Sequence, residues 1–292
     1  MKKMTLQRQK SLLGIVLLLP AMLLIVAIVF YPIIYNIQLG FYRVTLNPLR
    51  PNTWVGLDNF TRLLTDREFY QVIGLTILFV AVTVIVSTIM GLLVSLLLNR
   101  KFKGRGIARS LILLSYVTPL ISLVFVWRYM FNALFGAVNY ITVDVLGLFS
   151  SAPAWFDDTL FAFIMVSIFD SWRIYPFAFM MLLAALQAID TSLYEAAEVD
   201  GASAWAKFWH ITLPEITPTI VSVATLRILW NFYKFEDIWL LTTQLNVAGV
   251  YLYRTAFAHN NFGMAAAITV ILFFVVMLMV VTMRKVVLRN ET

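Results

Sequence analysis

The sequence predicts an all-α membrane protein: six transmembrane helices, a polar two-helix loop on the cytoplasmic side, and both termini facing the cytoplasm. Three observations predict it. Hydrophobic residues make up 61% of the chain and charged residues 13%, and the mean hydropathy of +0.87 lies far above that of an ordinary soluble domain. Six stretches reach the roughly 20 apolar residues that a helix needs to cross a hydrocarbon layer about 30 Å thick. Basic residues gather beside alternate ends of these stretches, and positive charge marks the cytoplasmic face. Backbone groups inside a bilayer must be satisfied within the chain, so six spans with short loops imply one helical transmembrane domain over 1–292.

The first span is expected over 12–35, after Lys2, Lys3, Arg8 and Lys10. Its apolar run is longer than that of a signal peptide and no small-residue cleavage site follows, so it reads as a retained helix. The loop 36–71 carries both signs, with Arg43, Arg50, Arg62 and Arg67 against Asp58, Asp66 and Glu68. A second span over 72–98 leads to Arg100, Lys101, Lys103, Arg105 and Arg109, a cytoplasmic signature. The third span, 110–132, holds Arg128 near its outer end, where a long side chain can snorkel or pack. The loop 133–159 has Asp144, Asp157 and Asp158 and no Lys or Arg, which puts it outside. Spans four, five and six are expected over 160–189, 217–241 and 264–283, and Arg284, Lys285 and Arg289 close the chain on the inner side. Gly91 with Ser95, and Gly263 with Ala265, Ala266 and Ala267, allow helices to approach closely. No internal repeat is evident.

Between spans four and five the polar loop 190–215 has helical chemistry of its own. Asp190, Thr191 or Ser192 can cap a helix whose first turns hold Glu195 and Glu198, where acidic groups favour the positive end of the helix dipole. Gly201 ends or bends that helix. A second stretch over 202–211 carries Trp205, Phe208 and Trp209, and Pro214 can open the fifth span as an early-turn proline. Two short helices along the membrane surface are expected, either as an interfacial linker with aromatic anchors or as a surface that holds a partner.

Several function classes drop out on residue chemistry. None of the 12 glycines is followed by lysine, so no phosphate-cradling P-loop is present and the chain does not hydrolyse ATP alone. His210 and His259 are the only histidines and are not spaced as a metal pair. The absence of cysteine removes disulfides and thiolate metal sites. The net charge of +7 sits beside apolar spans, where inner-face retention and anionic lipid headgroups account for it without nucleic acid. No catalytic or metal residues are assigned.

Ionisable groups inside the spans mark a solute path, because a charge in hydrocarbon faces a cavity or another polar group. Asp170 and Arg173 share a helical face, with Trp172 beside them and Pro176 a turn further on. Arg227, Asn231 and Lys234 form a stripe in the fifth span, extended by Tyr233, Glu236 and Asp237. Asp170 with Arg173, and Lys234 with Asp237, can alternatively be internal ion pairs that lock helices together. Trp172, Trp230 and Tyr233 either offer flat faces to a solute or pack within the bundle.

At the loop, Glu195-Ala196-Ala197, Asp200-Gly201-Ala202, then Ile211, Leu213 and Pro214 resemble the EAA loop of permease subunits in ATP-binding-cassette importers. Val55-Gly56-Leu57-Asp58-Asn59-Phe60, Leu240-Leu241-Thr242, and Asn261-Phe262-Gly263 before the three alanines are similar, in order, to segments of carbohydrate-importer permeases of the maltose and glycerol-phosphate type, and more to the first of the two paired permeases. The resemblance covers the chain from about residue 20 to 285. It implies a subunit of a bacterial-type cytoplasmic (inner) membrane that works beside a second homologous permease, two cytoplasmic subunits that bind ATP and Mg, and an external solute-binding protein. A sugar is the implied substrate, and the stretch Asn231-Phe232-Tyr233-Lys234-Phe235 lies where similar permeases place sugar contacts. The implied EAA coupling residues are Glu195, Ala196, Ala197, Asp200, Gly201, Ala202, Leu213 and Pro214. Thr243-Gln244-Leu245-Asn246-Val247 stands where many such permeases have a Gly-Gly-Pro turn. Arginine and lysine within the spans suit a sugar bearing phosphate, sulfonate or carboxylate, whereas pairing by Asp170 and Asp237 would cancel their charge. The competing reading is a self-sufficient secondary transporter or channel in which Asp170, Glu236 or Asp237 carries a coupling ion, which usually shows paired repeats. An intramembrane enzyme lacks its catalytic constellation here.

Overall fold

Prolines, glycines and charges decide where the long apolar stretches break into separate helices. The computed structural model describes residues 6–45 and 51–288; Lys2, Lys3, Arg50 and Arg289, which enter the charge asymmetry, lie outside the described residues. Helix α1 (Leu6–Ile25) continues through a wider π-helical turn (Val26–Phe30) into α2 (Tyr31–Leu39). Strands β1 (Tyr42–Arg43) and β2 (Thr53–Trp54) pair antiparallel, with Tyr42 opposite Trp54. Then follow α3 (Asp58–Thr65), α4 (Arg67–Asn99), α5 (Arg105–Val117), α6 (Leu120–Met130), α7 (Ala137–Asn139) with a π turn (Tyr140–Val145), and α8 (Thr159–Ala188). The chain continues as α9 (Thr191–Val199), α10 (Ala204–Lys207) with a π turn (Phe208–Thr212), α11 (Leu213–Phe232) and α12 (Glu236–Leu241). It ends in α13 (Ala248–Tyr253), a π turn (Arg254–Ala258) and α14 (Phe262–Leu288).

Four helical segments among the described residues are long and apolar enough to cross a membrane: Gly14–Leu39, Arg67–Asn99, Thr159–Ala188 and Phe262–Met283. They correspond to the expected first, second, fourth and sixth spans. The other two differ from expectation. In place of one helix over 110–132, α5 and α6 meet at 91°. Pro119 disfavours the helical conformation at the residue before it, and Thr118 is extended at φ −64°, ψ 136°. Counted as one bent crossing, this pair makes a fifth span. The expected continuous helix over 217–241 is interrupted between Phe232 and Glu236. Glu236 and Asp237 fall in the first turn of α12, where acidic side chains suit a helix start better than a helix interior. By contrast, α8 runs unbroken through Pro176.

The chain forms two compact units, one comprising the residues up to Asp66 with Leu252–Phe273, the other Arg67–Tyr251 with the residues from Phe274 onward. In the first, Asn59 donates from Nδ2 to the carbonyls of Gly40 at 2.8 Å and Tyr42 at 3.1 Å. Phe41 stacks on Trp54 and leans on Phe60. A Cβ at Gly263 would collide with the Tyr42 carbonyl and meet Asn59 Nδ2 at 3.2 Å, so glycine is required there for the backbones to meet. The Val55–Phe60 and Asn261–Gly263 motifs, far apart in sequence, thus close one structure.

In the second unit α4 and α8 pack against each other along their length, with α11 against both. Gly91 is what permits the closest approach: a Cβ there would lie 2.6 Å from Ala178 Cβ and 2.8 Å from Phe179 N. The core gathers Phe79, Val166, Phe169, Ile238 and Leu241, joined by Leu245 and Val247. The segment that stands in for a Gly-Gly-Pro turn therefore buries two apolar side chains.

Candidate substrate path and coupling segment

A cluster of charged and amide side chains lies inside the second unit, where α11 breaks off and α12 begins. Asp170 of α8 and Arg227 of α11 are both fully buried, at 0% and 1% exposure. Arg227 Nη2 donates to Asp170 Oδ2 at 2.7 Å and its Nη1 to Asn231 Oδ1 at 3.1 Å. Asn231 Nδ2 donates to Asp170 Oδ2 at 3.0 Å and to Thr83 Oγ1 of α4 at 2.7 Å. Lys234, in the break itself, pairs with Asp170 and, at 2.8 Å, with Asp237 of α12. Asp237 also pairs with Arg173 of α8 at 3.3 Å. The order Arg227, Asp170, Lys234, Asp237, Arg173 thus alternates in sign and ties α8 to α11 and α12. Such charges persist in a low-dielectric setting only when paired and hydrogen-bonded.

This arrangement corrects one expected pairing. Asp170 and Arg173 share a face of α8 but do not pair with each other: each reaches across to the broken fifth helix. The expected Lys234–Asp237 pair is present. The break is held open by a close backbone approach, since a Cβ at Gly249 would collide with the Lys234 carbonyl. Non-helical backbone at membrane depth occurs where it lines a cavity or is buried in protein.

The aromatic and outer candidates stand apart from the cluster. Trp172 is half-buried and packs on Trp127 with ring centres 5.8 Å apart, and its carbonyl accepts from Ser115. Trp230 leans on Phe177 at 4.9 Å. Tyr233 and Glu236 are exposed, and Glu236 joins none of the ion pairs. Arg128 is exposed and donates to the Leu240 carbonyl at 3.3 Å. Sequence reasoning missed Thr83 and Thr76. Thr83 donates to the Phe79 carbonyl at 2.7 Å while accepting from Asn231, and Thr76 accepts from the Ala248 N–H at 2.8 Å. The available signal was a Thr76, Thr83, Ser87 stripe on one face of an otherwise apolar helix.

The polar segment after α8 is built on a capped turn. Of the three capping candidates it is Asp190 whose Oδ1 accepts from Ser192 N at 2.9 Å, and that backbone bond holds its carboxyl below the usual range. Helix α9 ends in a Schellman closure: Ala202 N donates to Ala197 O at 2.8 Å and Gly201 N to Glu198 O at 3.1 Å, with Gly201 at φ +75° as this motif requires. Lys207 donates to Glu198 at 2.7 Å across the turn, and that bond with the Lys207 charge lowers the Glu198 pKa. The second stretch is not the separate surface helix expected over 202–211. Phe208 and Leu213 both keep helical angles, so α10 passes through the π turn into α11, and Pro214, expected to open a helix, lies directly after the π turn inside a continuous helical run. Glu195, Ala196, Asp200, Gly201 and Pro214 are exposed, and Ala197, Ala202 and Leu213 partly so. Val199 and Trp205 are exposed at 89% and 71%.

Comparison with known proteins places the chain in a family. A family model described as binding-protein-dependent transport system inner membrane component matches residues 84–289. The inner membrane ABC transporter permease protein YcjO of Escherichia coli (strain K12) is 48% identical over 272 residues, 93% of each chain. The trehalose/maltose transport system permease protein MalF of Thermococcus litoralis is 32% identical over 290 residues, 96% of this chain and 95% of the relative. A chain in the crystal structure of a bacterial ABC transporter involved in the import of the acidic polysaccharide alginate has the same fold, with a TM-score of 0.84 over 97% of this chain and 98% of that one at 23% identity.

Proposed function

The chain belongs to the family of binding-protein-dependent transport system inner membrane components, and from that membership we propose that it is one of two permeases in an ATP-driven sugar importer, with ATP and Mg held by partner subunits. The observation that carries the reading is the exposed, capped turn at 195–202 in a chain that has no phosphate-binding loop of its own. Exposed Val199 and Trp205 beside Glu195 and Asp200 offer an apolar patch with acidic edges to a cytoplasmic ATPase. Glu195, Ala196, Ala197, Asp200, Gly201, Ala202, Leu213 and Pro214 form that coupling surface. The termini, the basic loop after α4 and this segment face the cytoplasm, the broken third span and the interrupted fifth bring the number of crossings to six, and the acidic loop 133–159 faces the binding protein.

The substrate passes the break in the fifth helix, where Asp170, Arg173, Arg227, Asn231, Lys234 and Asp237 supply polar groups and Trp172, Tyr233 and Glu236 line the approaches. The likeness to a relative named for trehalose and maltose transport supports a sugar as substrate. Mild-detergent purification of the tagged chain from its native host tests the assembly: an ATP-binding subunit and a second permease should co-elute, and a solute-binding protein should join when substrate is supplied. Recovery of the chain alone, folded and monodisperse, would remove the importer reading.

A further inference from the structure

The buried cluster is one negative charge short. Arg173, Arg227 and Lys234 are cationic, and among the described residues Asp170 and Asp237 are its only carboxylates and take every ion pair of the three bases. Glu236, the next acid along the chain, is exposed and pairs with none of them. The shortfall is not evenly shared. Asp170 is closely held by Arg227, Asn231 and Lys234. Arg173 has the longest contact, 3.3 Å to an Asp237 oxygen that Lys234 also uses at 2.8 Å. Its Nε is buried without a hydrogen-bond partner, as is that of fully buried Arg227. Of the three bases it is also the most reachable, its side chain 17% exposed against 10% for Lys234 and 1% for Arg227.

An incompletely paired guanidinium in a low-dielectric site draws an anion, because the penalty for leaving the charge unmatched is large. Its planar fork gives paired N–H bonds to a carboxylate, sulfonate or phosphate, which a lysine ammonium cannot reproduce in geometry. We propose that the solute passing this site carries an anionic group, and that Arg173 is the residue that selects for it. The anion supplies the missing charge by binding Arg173 beside Asp237, at the junction between α8 and α12. A neutral sugar leaves the excess charge unmet and binds more weakly. This inference rests on the permease reading of the same site.

The test uses the full chain in nanodiscs of zwitterionic lipid, titrated calorimetrically with glucuronate and with glucose. Glucuronate should bind about tenfold more tightly than glucose. Arg173→Gln should abolish the preference, and Arg173→Lys, which keeps the charge and loses the fork, should retain part of it. Unchanged elution and helical circular dichroism identify variants that remain folded. Equal affinity for the two sugars, no binding of either, or a preference that survives Arg173→Gln would overturn the proposal. Failure of the importer reading would show separately, as absence of co-eluting partners, and is independent of the glucuronate result.

Discussion

Asp170 divides its two oxygens among Arg227, Asn231 and Lys234, so its loss takes from buried Arg227 the carboxylate it pairs with, leaves Lys234 with Asp237 alone and removes one bond of Asn231. Asp170→Ala should destabilise the protein by about 3–5 kcal/mol, the usual cost of removing one partner of a buried pair, read as a large drop in thermal unfolding temperature in detergent. The double variant Asp170→Leu with Arg227→Met should recover part of that loss, since an apolar pair of similar volume leaves fewer buried charges unmet. An Asp170→Ala protein as stable as the parent would mean that the cluster is not closed as described. The members of this cluster were legible in the sequence because a charge within an apolar span has few bland explanations. Its wiring was not. Asp170 and Arg173 sit one turn apart and invite a local pair, but tertiary packing offered each a partner on another helix. Thr83 was invisible because a threonine in an apolar helix can satisfy itself on the preceding carbonyl, and this one does that as well.

Helices are set by local chemistry that the sequence carries unevenly. Four of the expected spans are present because nothing in them opposes a helix strongly enough. The stretches expected as the third and fifth are long enough for unbroken helices, but at Pro119 and in the Lys234 to Asp237 run local helix-stopping chemistry outweighs hydropathy. At Gly201 the sequence was plain, since a glycine after a polar helical run usually means a left-handed closing residue. A Cβ there would meet nothing within 4 Å, so the constraint is the backbone angle alone. Gly201→Leu should cost about 1–2 kcal/mol at that angle, whereas Gly201→Asn, which tolerates it, should cost less. In the assembled transporter the leucine variant should lose most coupled uptake and the asparagine variant should keep it. Normal uptake by Gly201→Leu would count against a coupling role for the turn.

For the whole molecule, composition alone was enough to identify the solvent, and charge asymmetry gave an orientation that chemistry can check directly. The chain has no cysteine, so single introduced thiols report the side they face. Ser203→Cys, in the turn after Gly201, should react with a membrane-impermeant maleimide only in inside-out vesicles, and Ser151→Cys, in the acidic loop, only in intact cells or spheroplasts. The reverse pattern would invert the topology and remove the coupling surface from the cytoplasm. The meeting of the Val55–Phe60 and Asn261–Gly263 motifs could not be read from sequence, because nothing local to either announces a contact across some two hundred residues.

The helical run from Ala204 to Phe232 has a mechanical consequence. At about 1.5 Å per residue it is a strut roughly 40 Å long, with Trp205 at its exposed foot and Lys234 just past its buried head. A push on the foot that leaves its hydrogen bonds intact has to arrive at the head as displacement, and there the strut ends in a joint seated on Gly249 and clamped by ion pairs. The π turn at Phe208–Thr212 and the prolines that follow it, Pro214 and Pro218, interrupt the regular hydrogen-bond ladder, so the stiffness of that stretch sets how closely the head follows the foot.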